Sequence, residues 1–315
     1  MDYTDLPDYH RIKNLMNAAT PKKSVRALLT EIVDYAGLFP PSQLSMAESV
    51  ANYAAYKNSI YKWILGRFVV PVARLDEFAE NAKKFFSKQT DVWKLSVLAG
   101  EDILKTIETI EKFNAVFAQR AVADALEIKA ANSLEIENAA AHIPENLTTY
   151  FELPLNENTV EMITMLTITK HRAKIRTGGT SAEMFPAIGT IVRFMRLCLA
   201  TNLPFKCTAG LHHPLRCVKR LTYEKDAPEG TMNGFLNVFL AAALLQQNQP
   251  ASVISELLKE RRADNFAFDD DGVLWRQEYF IGTTQLKTLR ERSLISFGSC
   301  SFVEPVEDLK EIGLL

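Results

Sequence analysis

Short apolar runs alternate with longer amphipathic stretches along most of the chain. Each run is rich in β-branched or aromatic residues and is followed by a stretch with the hydrophobic period of a helix. The runs occupy residues 68–73, 95–98, 125–129, 150–155, 173–177 and 204–208. Strand–helix units in series are typical of a parallel sheet, so the pattern predicts an α/β protein.

The two ends of the chain depart from this alternation. Residues 1–66 show helical periodicity, interrupted at 37–41 by a glycine and two prolines, and predict a helical extension packed on the sheet. Residues 234–245 fit either a strand or a buried helix, 266–275 predict a hairpin with an Asp-Gly turn, and 294–302 predict the closing strand. Because no repeat or low-complexity linker divides the chain, we expect residues 67–315 to form the α/β barrel domain, with the extension packed on it.

A run of strand–helix units is compatible with a closed barrel or with an open doubly wound sheet. The open nucleotide-binding sheet has a glycine-rich loop after its first strand, but the sequence at that place is Ala73-Arg74-Leu75-Asp76. Neither GxGxxG nor a Walker A sequence occurs elsewhere in the chain. We therefore predict a TIM-type (β/α)8 barrel, irregular in places, whose seventh strand the pattern does not identify.

Composition and charge narrow the class of partners. The chain has 315 residues, 47% of them hydrophobic, and a formal net charge of −2, which is typical of a packed globular protein and does not favour nucleic acid. No apolar segment reaches the ~20 residues of a membrane-spanning helix, and residues 1–16 lack the apolar core of a secretory signal. We expect a cytoplasmic protein with no membrane partner, and a homo-oligomer is compatible with this expectation. The four cysteines include no CxxC pair, so we expect reduced thiols and no metal or cofactor.

Charged residues interrupt four of the predicted strands, mostly at alternate positions. Strands of a parallel sheet are buried on both faces and should be almost entirely apolar. Alternation places the charges on one face, which in a barrel is the interior face near the carboxyl ends of the strands. The residues concerned are Glu127, Lys129, Glu152, Lys174, Arg176 and Lys206. Four cations and two anions give a net charge of +2, which favours an anionic substrate; mutual ion pairing in the core is the alternative.

A glycine-rich segment follows the strand that carries Lys174. It consists of Arg176, Thr177, Gly178, Gly179, Thr180 and Ser181. Glycines let the backbone approach a ligand closely, and the guanidinium and hydroxyl groups add donors for a phosphate or carboxylate. The segment predicts an anion-binding site, with a simple glycine turn into the next helix as the alternative.

Candidate catalytic residues are concentrated in residues 205–214. Within this segment, Lys206-Cys207-Thr208-Ala209-Gly210 resembles the Lys-Thr-Ser-Thr-Gly strand of deoxyribose-phosphate aldolases, and several Schiff-base (class I) aldolases carry their nucleophilic lysine on the sixth strand of a TIM barrel. The earlier Lys174-Ile175-Arg176-Thr177-Gly178-Gly179 is similar to the Lys-Ala-Ser-Gly-Gly of the same enzymes. In those enzymes the second sequence follows the Schiff-base strand, whereas here it precedes it.

The resemblance implies an aldolase-like lyase in which Lys206 forms a Schiff base with a small phosphorylated or carboxylated carbonyl compound. Burial and the charge of Lys174 would lower the pKa of Lys206, whereas Glu152 would raise it. Glu152 and His212 are the candidate proton-transfer groups. The candidate substrate ligands are Glu127, Lys129, Arg176, Thr177, Gly178, Gly179, Thr180, Ser181, Thr208 and His213.

Two other functions are compatible with the same residues. A metal-dependent barrel enzyme would use His212 or His213 together with Glu127 and Glu152 as ligands. The chain has no HxH or HExxH sequence, however, and the excess of interior cations disfavours a bound dication. A barrel that binds an anionic ligand without catalysis would need the same lysines and glutamates.

Overall fold

The computed structural model describes residues 20–86 and 91–315, and within these ranges eight parallel strands close into a barrel surrounded by helices. The predicted α/β architecture, a TIM-type barrel, is confirmed. Residues 1–19, which belong to the predicted helical extension, lie outside the described residues.

Strands of the barrel and of two small antiparallel sheets follow one another along the chain. They are β1 (Val33–Tyr35), β2 (Leu65–Pro71), β3 (Trp93–Leu98), β4 (Ala121–Lys129), β5 (Thr148–Glu152), β6 (Arg172–Arg176), β7 (Phe205–Thr208), β8 (Cys217–Arg220), β9 (Glu229–Met232), β10 (Phe266–Phe268), β11 (Gly272–Trp275), β12 (Tyr279–Gly282) and β13 (Leu294–Ser299). The barrel runs from β1 to β7 in chain order, and β13 closes it between β7 and β1. The small sheets are β8 with β9, and β10 with β11 and β12.

Most of the helices cover the outside of the barrel. They span Lys23–Leu29, Met46–Lys57, Leu75–Phe86, Ile103–Phe117, Ser133–Ala140, Thr159–Thr169, Ile188–Ala200, Phe235–Gln246, Ala251–Lys259, Thr283–Arg292 and Val303–Glu311. Local sequence explains where some of them begin. Ser45 and Glu48 form a capping box before Met46–Lys57, and Asp102 accepts a hydrogen bond from the backbone N–H of Lys105 at 3.0 Å. Within the described ranges, no helix is long and apolar enough to cross a membrane.

The first barrel strand lies inside the segment for which the sequence predicted a helical extension. Val33–Tyr35 pairs in parallel with both β13 and β2, and β2 itself begins at Leu65. The prediction was wrong here because a strand of three buried residues is too short to show a period of two. Because β1 precedes the first of the six predicted strands, the number of each of these strands in the barrel is one higher than predicted. Residues 173–177 correspond to β6, and Lys206 lies on β7 rather than on a sixth strand.

The C-terminal third settles the ambiguous patterns. The predicted hairpin is confirmed: β10 and β11 are antiparallel on either side of the Asp-Gly turn, and β12 adds a third strand. The apolar run at 234–245 is the helix Phe235–Gln246, which is buried on nearly all sides and so lacks the amphipathic pattern of a surface helix. The predicted closing strand at 294–302 is β13, which ends at Ser299.

Candidate functional site

Strand register brings the charged residues of β4 to β7 side by side. Lys129 is the register partner of Glu152, Glu152 of Lys174, and Lys174 of Lys206. Side chains at the same register on parallel strands point to the same face of the sheet. The structure thus assembles the interior charged face at the carboxyl ends of these strands.

Six charged side chains form a continuous series of contacts, which we call the ion-pair chain. Its members are Asp34, Lys206, Glu127, Lys174, Glu152 and Arg176. Lys206 Nζ lies 3.0 Å from Asp34 Oδ2 and also contacts Glu127 Oε1. Lys174 Nζ lies 2.6 Å from Glu127 Oε2 and 2.7 Å from Glu152 Oε2. The Arg176 guanidinium is 3.6 Å from Glu152 Oε1. Anions and cations alternate, so each buried charge has a partner of opposite sign.

Uncharged groups complete the hydrogen bonding of the buried carboxylates. Ser96 Oγ donates to Glu127 Oε1 at 2.6 Å, and Ser296 Oγ donates to Asp34 Oδ2 at 2.7 Å. The backbone N–H of Arg67 donates to Asp34 Oδ1 at 2.9 Å. A buried carboxylate is stable only when its oxygens are satisfied in this way.

Sequence reasoning missed four residues of this network: Asp34, Ser96, Tyr150 and Ser296. A signal for Asp34 was present, because it stands between Val33 and Tyr35 just as the charges of the later strands stand between apolar neighbours. Tyr150 carries no such signal. Its ring lies under Lys206 Nζ, 4.8 Å from the ring centroid, and only the barrel geometry brings the two together.

Mutual electrostatics keep the buried groups of the ion-pair chain charged. Burial raises the pKa of Glu127, but Lys174 and Lys206 outweigh it and hold that pKa far below its usual value. Burial lowers the pKa of Lys206, but Asp34 and Glu127 outweigh it and hold that pKa above its usual value. At Lys206 the two carboxylates therefore have a larger effect on the pKa than burial has, and they favour the ammonium form.

A cavity of about 320 Å³ opens above the ion-pair chain at the carboxyl ends of the strands. Ten of the predicted site residues line it: Glu127, Lys129, Glu152, Lys174, Arg176, Gly179, Thr180, Lys206, Thr208 and His212. The loop after β1 contributes Phe39, Pro40 and Pro41 to the lining. The charged residues that line the cavity are four cations and two anions, as the sequence predicted. Asp34, which contacts Lys206, is a third anion, so the net charge of the whole group is +1 rather than +2.

The other four predicted ligands do not line this cavity: Thr177, Gly178, Ser181 and His213. Thr177 is fully buried, and its hydroxyl donates to the carbonyl oxygen of Ala209 at 2.7 Å. Ser181 precedes the short helix Ala182–Met184. His213 Nδ1 lies 2.5 Å from Asp308 Oδ2. These residues are in the same region, but they do not line the cavity.

Gly178, the fourth of these residues, has a packing role. A Cβ at Gly178 would lie 2.5 Å from Phe185 Cε1 and 2.8 Å from the Cα of Gly210, which are closer than real Cβ contacts. Gly210 itself has a φ of +72°, a conformation that favours glycine. The loops after β6 and β7 therefore touch backbone to backbone, and this contact fixes the cavity wall between them.

His212 stands on the wall formed by the loop after β7. Its Nδ1 lies 2.9 Å from Glu304 Oε2, and Tyr223 Oη donates to the same carboxylate oxygen at 3.0 Å. Burial raises the pKa of Glu304, but the hydrogen bonds and charge of its neighbours, His212 first among them, bring the net pKa below the usual value. Glu304 is accordingly an ionised acceptor at neutral pH. The sequence did not identify Glu304, which lies 92 positions after His212.

The structure does not assemble the ligand set of the metal-dependent alternative. His212 contacts Glu304, His213 contacts Asp308, and both oxygens of Glu127 are engaged by lysines. Among residues 20–86 and 91–315, no group of three or more histidine, cysteine, aspartate or glutamate side chains is placed to hold a metal ion. The side chains that the sequence grouped as metal ligands are each engaged by a different partner, and only the fold brings those partners to them.

The fold and the site define an α/β barrel of the TIM type with an ion-pair chain beneath a charged cavity at the carboxyl ends of its strands. No protein-family model matches the chain, and no curated protein is significantly similar to it in sequence.

Proposed function

We propose that the protein is an aldolase-like enzyme that forms a Schiff base between Lys174 and a small carbonyl compound carrying a phosphate or carboxylate group. The observation that supports this most is the position of Lys174 on β6, where it lines the cavity and lies 2.7 Å from Glu152. Catalytic groups of TIM barrels are found at this end of the strands.

The choice of Lys174 over Lys206 rests on strand position and environment. The resemblance implied Lys206 by its sequence and the sixth strand by its position. The two disagree here, because Lys206 lies on β7 and the lysine of the sixth strand is Lys174; we follow the strand position. Each of the two lysines contacts two carboxylates, but those of Lys206, Asp34 and Glu127, are almost completely buried and favour its ammonium form, which cannot attack a carbonyl. Lys174 shares Glu127, but its second carboxylate, Glu152, is 14% exposed at its side chain and lines the cavity, where it can pass a proton on. Lys206 then serves as a fixed positive charge on the strand next to that of the reacting amine.

Glu152 is the group best placed to move protons during imine formation. It accepts a proton from the Lys174 ammonium, the free amine adds to the carbonyl carbon, and the oxygen takes the proton back. A second proton passes from nitrogen through Glu152 to the hydroxyl group, which leaves as water. The net change is an ammonium and a carbonyl converted to an iminium and one water, and this needs no oxidant or reductant.

The cations at the cavity rim favour an anionic substrate. Arg176 is 45% exposed at its side chain and has only a loose 3.6 Å contact to Glu152. Lys129 makes no ion pair within the described residues and lines the same cavity. Both can bind a phosphate or carboxylate while the carbonyl carbon reaches Lys174.

Borohydride trapping with peptide mapping tests the proposal. The wild-type protein is incubated with pyruvate, dihydroxyacetone phosphate or glyceraldehyde 3-phosphate, reduced, digested and analysed by mass spectrometry. We expect the mass of at least one reduced adduct on the peptide that contains Lys174. The matched variants are Lys174→Met, which should lose the adduct, and Lys170→Met at an exposed position, which should keep it.

Three results would overturn the proposal: an adduct on Lys206 alone, an adduct that persists on other lysines of Lys174→Met at the wild-type level, or no adduct with any of the three compounds. The last result together with measurable phosphate binding would instead support a barrel that binds anions without catalysis.

A further inference from the structure

The wall of the cavity formed by the loop after β7 carries a group that imine formation does not use. His212 lines the same cavity as Lys174, and its Nδ1 is held by Glu304. Its Nε2 makes no hydrogen bond within the described residues. The ring is thus anchored on one side and has its second nitrogen available.

The hydrogen bond to Glu304 sets the tautomer of the neutral ring. A carboxylate can only accept, so Nδ1 carries the hydrogen and Nε2 carries the lone pair. Glu304 is in turn held by two further hydrogen bonds. Tyr223 Oη donates to the same carboxylate oxygen at 3.0 Å, and the backbone N–H of Glu304 donates to Ser301 Oγ at 3.1 Å. A histidine oriented by a fixed carboxylate is a recurring arrangement in general acid–base catalysis, as in the Ser-His-Asp triad.

We propose that His212 is the general acid–base of the carbon chemistry that follows imine formation, and that Glu304 and Tyr223 are its positioning residues. The inference rests on the proposed Schiff base at Lys174. Nε2 removes a proton from the carbon next to the iminium, the C–H electron pair becomes a C=C bond, and the iminium electrons move to nitrogen. Return of the proton from Nε2 reverses the step, so atoms and charge balance without another reactant.

In this proposal the two proton-transfer groups, Glu152 and His212, act on different atoms of the substrate adduct. Glu152 lies 2.7 Å from Lys174 Nζ and serves the nitrogen and the leaving water. His212 is held on the loop after β7 and serves the neighbouring carbon. The substrate class is therefore a carbonyl compound that has a hydrogen on the adjacent carbon, in addition to its anionic group.

Hydrogen–deuterium exchange separates this step from imine formation. Pyruvate and dihydroxyacetone phosphate are each incubated in deuterium oxide with the protein, and loss of the carbon-bound proton signal is followed by NMR. We expect His212→Gln to retain borohydride trapping at Lys174 but to exchange about 100-fold more slowly, the lower end of the effect of general acid–base catalysis. His213→Gln is the matched control, because His213 also contacts a carboxylate but lies off the cavity, and its exchange rate should equal that of the wild type.

A second measurement reports on the positioning residues. In the 15N NMR spectrum of the wild type, His212 should show the Nδ1–H tautomer when neutral, whereas Glu304→Gln should lose this preference and slow the exchange with trapping intact. Trapping with wild-type exchange rates in His212→Gln would overturn the inference and leave the proposed function standing. Absence of trapping in the wild type would overturn both.

Discussion

Lys206 Nζ lies 3.0 Å from Asp34 Oδ2, although 172 positions separate the two residues along the chain. The contact joins the seventh strand to the first through the barrel interior. Both side chains are almost completely buried, at 2% and 1% exposure. Taking either charge out of water is costly, so the pair depends on mutual attraction and on the hydrogen bonds that surround it.

Removing one member of this pair should destabilise the barrel strongly. Asp34→Asn keeps the shape of the side chain but leaves Lys206 with Glu127, which Lys174 also contacts, as its remaining anionic partner. We expect the free energy of unfolding in urea to fall by about 3–5 kcal/mol. Glu108→Gln, which removes an exposed helical pair with Lys112, is the control and should be indistinguishable from the wild type. Equal stability of the two variants would show that the buried pair contributes little.

The stability contributed by the ion-pair chain should have a defined pH window. The pKa of Glu127 is depressed in the fold, so its contribution is fully present above the ordinary value of 4.5 and is lost as the pH falls below it. The pKa of Lys206 is raised, so its contribution is fully present below the ordinary value of 10.5 and is lost as the pH rises through the higher folded value.

Urea midpoints measured from pH 2 to pH 12 check this window, with Glu127→Gln as the comparison. The variant should be less stable than the wild type at neutral pH, and the difference should shrink on acidification below 4.5. A difference that stays constant in acid would contradict the assigned direction of the Glu127 shift.

The contact between the loops after β6 and β7 should tolerate no additional atom. In Gly178→Ala the new methyl group would meet Phe185 and the Gly210 backbone, and we expect a loss of about 1–3 kcal/mol in the free energy of unfolding. Gly189→Ala is the matched control, because a Cβ there meets nothing within 4 Å and the position lies in a helix. Its stability should be unchanged or slightly higher. Equal losses in the two variants would rule out the close approach.

Arg176 should contribute to anion affinity more than other arginines of the same region. Arg176→Gln removes a charge-assisted hydrogen bond, so we expect calorimetric titration with phosphate or pyruvate to show affinity weaker by about tenfold or more. Arg196→Gln, on the exposed face of the helix Ile188–Ala200, should bind these anions as the wild type does. Unchanged affinity in Arg176→Gln would place the anion elsewhere in the cavity.

Local patterns in the sequence were sufficient for the class of fold and for one face of the site. The alternation of apolar runs and helices identified seven of the eight barrel strands. Charges between apolar neighbours placed six residues on one face, and all six line the cavity: Glu127, Lys129, Glu152, Lys174, Arg176 and Lys206. These features are readable because the period of a strand and the cost of burying a charge act on adjacent residues. The sequence did not predict β1, because three buried residues are too few to establish the period of a strand.

Only the tertiary structure decided which partners the charged groups have. Asp34 reaches Lys206 and Glu304 reaches His212 across 172 and 92 positions, and no local pattern records either distance. Those partners set the environment of each group: Asp34 and Glu127 favour the ammonium form of Lys206, and Glu304 holds Nδ1 of His212. The protonation state of a buried group depends on the sum of its desolvation and the charges within a few ångströms, and that sum exists only once the chain has folded.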